Sequence, residues 1–348
     1  MIIDAHTHGM HGGYLDSISK AGGKWGEKKV EFALAQAKRK PSFTDVNVRL
    51  EQLDRTGIDY QAVTAQWTFD SNLLPGEVKT QLAYAQALND NIARLMEDSK
   101  GRLLGIGTVP LSDFENYGKK EMERAINNLG MKAVAVSTNL QGKPIDLPEY
   151  EPFWAHAEAM DVAVFIHPAD APTNVGRPYE DEYDLMHNFG WPFESMLTLS
   201  RLVFSGIMER YPKLKVVGHH LGGGIPFFFG RTMETYTAAT NVNWKEPSDK
   251  SHEQLLKKIG HDLSKPMYDY FAQFYYDTAI GGSAPAIKCA YDVFGVDRLI
   301  FATDAPFGPG TGEERMASYP DVVRSVGLTD EENQKIFADN ARKMLNMD

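Results

Sequence analysis

One cysteine, Cys289, stands in 348 residues, so no disulfide can form within the chain, and a reducing compartment is expected. Cys289 lies in the apolar stretch Ala284–Ala290, where it reads as a small buried hydrophobe rather than a nucleophile. No apolar run approaches the roughly 18 residues of a membrane span. The chain enters a strand-like segment at once, with no basic region or cleavage signal, so no secretion signal and a cytoplasmic location are expected. A net charge of −11 removes the positive excess that nucleic acid or an anionic membrane surface would require. A small anionic substrate is still allowed, because a few buried cations set a local field. Internal repeats, low-complexity tracts and linkers are missing as well, which leaves one domain over residues 1–348.

Hydrophobic residues make up 43% of the chain and charged residues 24%, the balance of an ordinary globular protein. Short apolar runs predict eight strands: Ile2–His8, Tyr60–Gln66, Leu103–Leu111, Ala133–Asn139, Val162–Pro168, Lys215–Leu221, Phe274–Ala279 and Leu299–Pro306. They are apolar on both faces, as buried parallel strands are. Amphipathic stretches between them predict helices, among them Asp45–Thr56, Val78–Ser99, Pro192–Tyr211, Ala284–Phe294 and Glu314–Val326. A last helix, Asp330–Leu345, follows Thr329, with Glu332 placed for a capping box. Eight strand–helix repeats favour a closed (β/α)8 TIM barrel. An open doubly wound sheet would want a Gly-rich phosphate turn after the first strand, where this chain has His6-Thr7-His8. Two insertions, near 9–42 and 235–265, exceed a minimal barrel; both are expected as long loops on the catalytic face, capping the site or touching a second subunit.

Four of the predicted strands end on residues that bind divalent metals. Asp4-Ala5-His6-Thr7-His8 closes the first, His167 the fifth, His219-His220 the sixth, and Asp304 the eighth. Strand ends far apart in sequence meet at the C-terminal face of a barrel, where such folds build their sites. Residues two apart in a strand share a face, so His6 and His8 are expected to grip one ion together with His167 and Asp304. Three imidazoles and one carboxylate suit Zn²⁺ best, with Mn²⁺, Fe²⁺ or Co²⁺ as alternatives. The second oxygen of Asp304 is expected to be free. His219 and His220 are neighbours on a strand and are expected to point to opposite faces. The position of the following glycines and Pro226 favours His220 as the one that enters the site, with His219 packed outward beneath a helix. Asp277, Trp191, Trp67 and Phe307 fall near strand ends and are candidates for shaping a substrate pocket.

The stretches IIDAHTH, VFIHPA, PKLKVVGHHLGGGIPFFFGR, RLIFATDAPFG and EENQKIFADNARKML, spread over essentially the whole chain, resemble the amidohydrolase superfamily. The nearer resemblance is to its decarboxylase branch, typified by aminocarboxymuconate-semialdehyde decarboxylase and gamma-resorcylate decarboxylase. It implies a TIM barrel with His6, His8, His167 and Asp304 as metal ligands and His220 as the acid/base. It implies that Arg231 binds a substrate carboxylate, in some members within the neighbouring subunit, and that the chain forms a homodimer or larger assembly. Many superfamily members carry two metals bridged by a carboxylated lysine ending strand four. Here that strand ends Ser137-Thr138-Asn139, and Lys132 lies at its other end, which matches the mononuclear branch. The activity implied is non-oxidative decarboxylation of an unsaturated or aromatic carboxylate, with a proton delivered to the carbon bearing the carboxylate by Asp304 or His220. Mononuclear hydrolysis of a lactone or amide, and hydration of a double bond, are the alternatives from the same ligands.

Overall fold

The computed structural model describes residues 1–65, 69–169, 182–240 and 263–347. Trp67, the segment Asn241–Trp244, His252 and His261 lie outside them. The strands are β1 (Ile3–His8), β2 (Tyr60–Thr64), β3 (Leu103–Thr108), β4 (Ala133–Ser137), the small hairpin β5 (Asn139–Leu140) and β6 (Lys143–Pro144), then β7 (Ala163–His167), β8 (Val216–Gly218), β9 (Tyr275–Asp277) and β10 (Leu299–Ile300). Apart from the hairpin they form one eight-stranded sheet in the order β1-β2-β3-β4-β7-β8-β9-β10, and every neighbouring pair is parallel. Its two ends meet: Ala5 N donates to Phe301 O at 2.9 Å, Asp304 N to His6 O at 2.9 Å, and His8 N to Ala305 O at 2.7 Å. The expected barrel is therefore present, and each strand of the eight-stranded sheet lies inside its predicted range; the hairpin β5–β6 was not predicted.

Alternation along the strands sorts two layers. Ala135, Ala163, Phe165, Val217, Tyr275 and Ile300 fill the barrel interior with Ile3 and Ala5. Val63, Val134, Val164, Ile166, Val216 and Leu299 face the surrounding helices. Ala341, Met344 and Leu345 of the C-terminal helix pack against the interior cluster beside Ile3. That helix begins with the expected capping box of Thr329 and Glu332. It closes the end where the strands start, leaving the opposite end for a site.

β1 breaks the simple alternation. Asp4 pairs with Gln61, but Thr7 pairs with Val63, so Ala5 and His6 together face Ala62 across a bulge. His6 and His8 thereby face inward, while Asp4 and Thr7 face the helix layer. There Arg49, 2% exposed, donates to Ser42 O at 3.0 Å, Gln61 Oε1 at 3.1 Å, Thr7 Oγ1 at 3.3 Å and His8 O. A Cβ at Gly9 would come within 2.7 Å of its guanidinium, so glycine makes room for it. Burial pushes the Asp4 carboxyl up to about 6 and the Arg49 guanidinium down to about 10. Replacing Arg49 with methionine strands these acceptors in a buried setting, at an expected cost of about 3–5 kcal/mol. The loss is read as a lowered denaturation midpoint; an unchanged midpoint would contradict it.

The insertion 9–42 is not the expected loop. Leu15–Arg39 is a 25-residue helix, kinked at Gly23, with Leu15, Ile18 and Ala33 buried. Gly22 and Gly23 look like loop residues in the sequence. A Cβ at Gly22 would sit 2.9 Å from the Tyr84 ring, so that glycine permits close packing on helix Val78–Asp98. Of the second insertion, the described residues are 235–240, which end the helix Ile225–Thr240, and 263–265.

Candidate metal centre

At the open end, β1, β7 and the turn after β10 bring the side chains of His6, His8, His167 and Asp304 together. His6 Nε2 lies 3.1 Å from His8 Nε2. His8 Nε2 is 3.2 Å from Asp304 Oδ1, and His6 Nε2 is 3.9 Å from the same oxygen. The His167 ring stands 5.5 Å from His6 and 5.1 Å from His8, and His6, His8 and His167 each offer a nitrogen within 4.8 Å of the others. His6, His8 and His167 are at most 2% exposed.

Hydrogen bonds on the far side of two rings fix which nitrogen faces inward. His167 Nδ1 lies 2.7 Å from Pro168 O, and a carbonyl only accepts, so Nδ1 carries the hydrogen and Nε2 the lone pair. His6 Nδ1 lies 3.0 Å from Asp277 Oδ2, with the same consequence. Burial holds His8 below its ordinary value, and His167 well below, so both rings are neutral. Burial would lower His6 too, but the Asp277 carboxylate raises it on balance. Burial would raise Asp304; the hydrogen bond from His8 and the nearby imidazoles hold it well below the carboxylate range. The Nε2 atoms of His6 and His167 converge with the Asp304 carboxylate in one buried space, an arrangement that a cation among them would stabilise. The donor set, three nitrogens and one anionic oxygen, fits a single divalent metal. β4 ends on buried Ser137, whose N donates to Asp70 at 2.9 Å, and no lysine is present there to bridge a second ion.

Three expectations need correction. Asp277 was a candidate for the substrate pocket, yet it is fully buried and both oxygens are engaged. Oδ2 meets His6 Nδ1 and His219 Nδ1, the latter at 2.5 Å; Oδ1 accepts from the backbone N–H of His220 at 2.9 Å and of Ala279 at 3.0 Å. Its role is to orient histidines. His219 does not face outward: it is fully buried and stacks on His6, with ring centroids 3.5 Å apart. Strand alternation from Val217 carries His219 into the interior. Left-handed backbone at His220 and Leu221, both with φ 55°, then swings His220 over the same space. His220 is half-buried, 5.4 Å from the His6 ring and 6.0 Å from His167, with Nδ1 on Ala279 O at 2.7 Å. Third, the second oxygen of Asp304 is not free, because Arg315 Nη1 donates to Oδ2 at 3.1 Å.

Two aromatic candidates border the ligands. Trp191 stands edge-on to His167 at 6.3 Å, and Phe307 lies 5.3 Å from His8. Arg231 is exposed on helix Ile225–Thr240. Sequence reasoning missed Arg49 and Arg315. Arg49 left a signal, a charge on the apolar stripe with Val46 and Leu53. Arg315 left none, since Glu313-Glu314-Arg315 reads as a solvated helix start.

Residues 3–347 match a family model described as Amidohydrolase. A 2-amino-3-carboxymuconate-6-semialdehyde decarboxylase of Dictyostelium discoideum is 28% identical over 305 residues, covering 87% of this chain and 77% of that protein. A gamma-resorcylate decarboxylase of Rhizobium sp. is 25% identical, covering 87% of each. The fold matches the crystal structure of 5-carboxyvanillate decarboxylase from Novosphingobium aromaticivorans, complexed with manganese and 4-hydroxy-3-methoxy-5-nitrobenzoic acid. The TM-score is 0.81 at 22% identity, over 100% of this chain and 96% of that one.

Proposed function

Since the chain belongs to the amidohydrolase family, we propose that it is a metal-dependent carboxy-lyase acting without oxidation on an unsaturated or aromatic carboxylate. The observation that carries this reading is the convergence of three buried imidazoles and the ionised Asp304 beside His220, in a chain whose relatives include decarboxylases. His6, His8, His167 and Asp304 would hold one divalent ion. Manganese in the related 5-carboxyvanillate decarboxylase supports Mn²⁺ beside Zn²⁺ as the ion used here. Bound there, the metal would bind the substrate carboxylate or an adjacent oxygen and stabilise negative charge.

The chain's own groups supply the proton. With Nδ1–H of His220 on the Ala279 carbonyl, Nε2 is the nitrogen left to carry a proton to the substrate. Protonation of the carbon bearing the carboxylate lets that carbon–carbon bond break, its electron pair returning to the unsaturated system as carbon dioxide departs. Trp191 and Phe307 suit a flat substrate, because both rings flank the ligand imidazoles. For Arg231 we propose the carboxylate grip in a neighbouring copy of a homodimer. Its exposure on a helix that also presents Phe227 and Phe228, 77% and 46% exposed, supports this reading.

The test is carbon dioxide release by metal-loaded protein on hydroxybenzoates, carboxymuconate-like acids and pyrimidine carboxylates. Release by the wild type, absent in Asp304→Asn, is the expected result. His220→Ala should keep its metal and lose about 10²–10⁴-fold in turnover. Metal loss in that variant would make His220 a ligand. No release across the panel, with turnover of lactones or amides, would make the chain a mononuclear hydrolase.

A further inference from the structure

Asp304 has two carboxylate oxygens in different company. Oδ1 faces the imidazoles, 3.2 Å from His8 Nε2; Oδ2 is held by Arg315 Nη1 at 3.1 Å. The backbone of Asp304 is itself left-handed, φ 61°, with its N–H on His6 O at 2.9 Å and its carbonyl accepting from Phe307 N at 3.0 Å, bonds that hold the main chain and leave the carboxylate to its side-chain partners. The carboxylate therefore depends on a partner for its orientation.

That partner is delivered by a built path. Arg315 stands in the first turn of helix Glu313–Arg324 and is only 19% exposed at its side chain. Its guanidinium passes directly over Gly308: a Cβ there would lie 2.1 Å from Arg315 Nε, and Gly308 has φ 103°. No other residue type fits both requirements. The glycine loop is in turn anchored from elsewhere in the chain. Lys40, 6% exposed, directs Nζ to Gly308 O at 2.8 Å and Gly310 O at 2.9 Å. Lys40 follows the helix Leu15–Arg39, so the first insertion reaches the metal centre through this loop. The Tyr319 ring, 6.0 Å from the guanidinium, borders Arg315 on the same helix.

We propose that Arg315 is a positioning residue that fixes which oxygen of Asp304 is turned to the metal, with Gly308 and Lys40 holding the passage it uses. Held on Oδ2, Asp304 offers one oxygen and keeps a set angle to His8 and His220. Without Arg315 the carboxylate is free to rotate and offer both. A planar guanidinium suits this task better than a lysine ammonium, because its donors have a fixed direction.

The inference rests on the decarboxylase reading only where turnover is measured, so its first readout avoids turnover. Wild type, Arg315→Ala and Arg315→Met are loaded with Co²⁺, and their visible d–d spectra are compared at matched metal content. The variants should hold one ion per chain with a shifted and altered band, because the oxygen donor has changed. Millimolar guanidinium should return the Arg315→Ala spectrum toward wild type, the effect a general packing defect would not show. On a substrate that releases carbon dioxide, kcat should fall about 10–100-fold with KM within about twofold, again restored by guanidinium. Arg315→Met keeps the apolar stem and serves if the alanine variant fails to fold. Spectra identical to wild type would overturn the proposal, as would loss of metal from Arg315→Met, which would make Arg315 a structural support of the whole site. If wild type releases no carbon dioxide, the function is wrong while the cobalt spectra still decide the role of Arg315.

Discussion

His167→Ala is expected to leave the chain folded and without its metal. The imidazole is 2% exposed, and its one fixed hydrogen bond, Nδ1 to Pro168 O at 2.7 Å, is short-range and local. Its loss costs a partner for one carbonyl and leaves a small cavity at the barrel mouth. Against this stands a gain: the metal-free cluster packs the His167 ring against the rings of His6 and His8 in a buried space, and removing one ring relieves the crowding. Metal binding has no such compensation. Removing an orienting residue behind a ligand commonly weakens metal binding 10–100-fold, so removing a ligand should exceed about 100-fold.

Two measurements separate these effects. Metal per chain after dialysis should drop from about one to near zero, and carbon dioxide release should disappear with it. Thermal unfolding should show the same difference: free metal at 100 times its dissociation constant stabilises the wild type by about 2.7 kcal/mol, and should stabilise the variant hardly at all. Full occupancy in His167→Ala would remove His167 from the ligand set.

The legible part of this molecule is the part built from repetition. Eight short apolar runs gave eight strands, because a residue buried on both faces has to be apolar, and the strand-end ligands followed from the barrel's geometry. What the sequence concealed depends on departures from period two. The β1 bulge at Ala5 and His6 separates Asp4 from the histidines two and four residues on, and no residue type marks it. The left-handed turn at His220 and Leu221 uses residues that rarely adopt it and brings both neighbouring histidines to one space, so admitting only one of them, and choosing His220 from the glycines that follow, put His219 on the wrong face. Helix Leu15–Arg39 was hidden by its own glycines, which serve packing and a kink rather than a loop. Arg315 was hidden for a different reason. Its partner is eleven residues back in the chain, but the path between them is a glycine turn whose shape only the folded backbone reveals.

The second large effect is expected at Asp277, whose carboxylate holds the rings of His6 and His219. Its two oxygens take four donors: the ring nitrogens Nδ1 of His6 and His219, and the backbone N–H groups of His220 and Ala279. Burial would raise its carboxyl, but the two imidazoles hold it well below the ordinary range, so it is an anion in the barrel core. Asp277→Ala leaves four donors buried without an acceptor, and breaking a buried charged network of this kind costs about 3–5 kcal/mol. Asp277→Asn is the sharper variant. Its amide keeps the shape and one oxygen, but its NH2 replaces an acceptor with a donor facing rings that already donate. His6 can answer by moving its hydrogen from Nδ1 to Nε2, which places that hydrogen where the metal ligand lone pair has to be. Asp277→Asn should therefore lose less stability than Asp277→Ala and still bind metal at least about 10–100-fold more weakly than wild type. Nitrogen chemical shifts of the histidine rings in the metal-free protein would report the tautomer directly. If His6 keeps its hydrogen on Nδ1 in Asp277→Asn and metal binding is unchanged, Asp277 supports the fold alone, and His6 is oriented by the β1 bulge and by its stacking on His219.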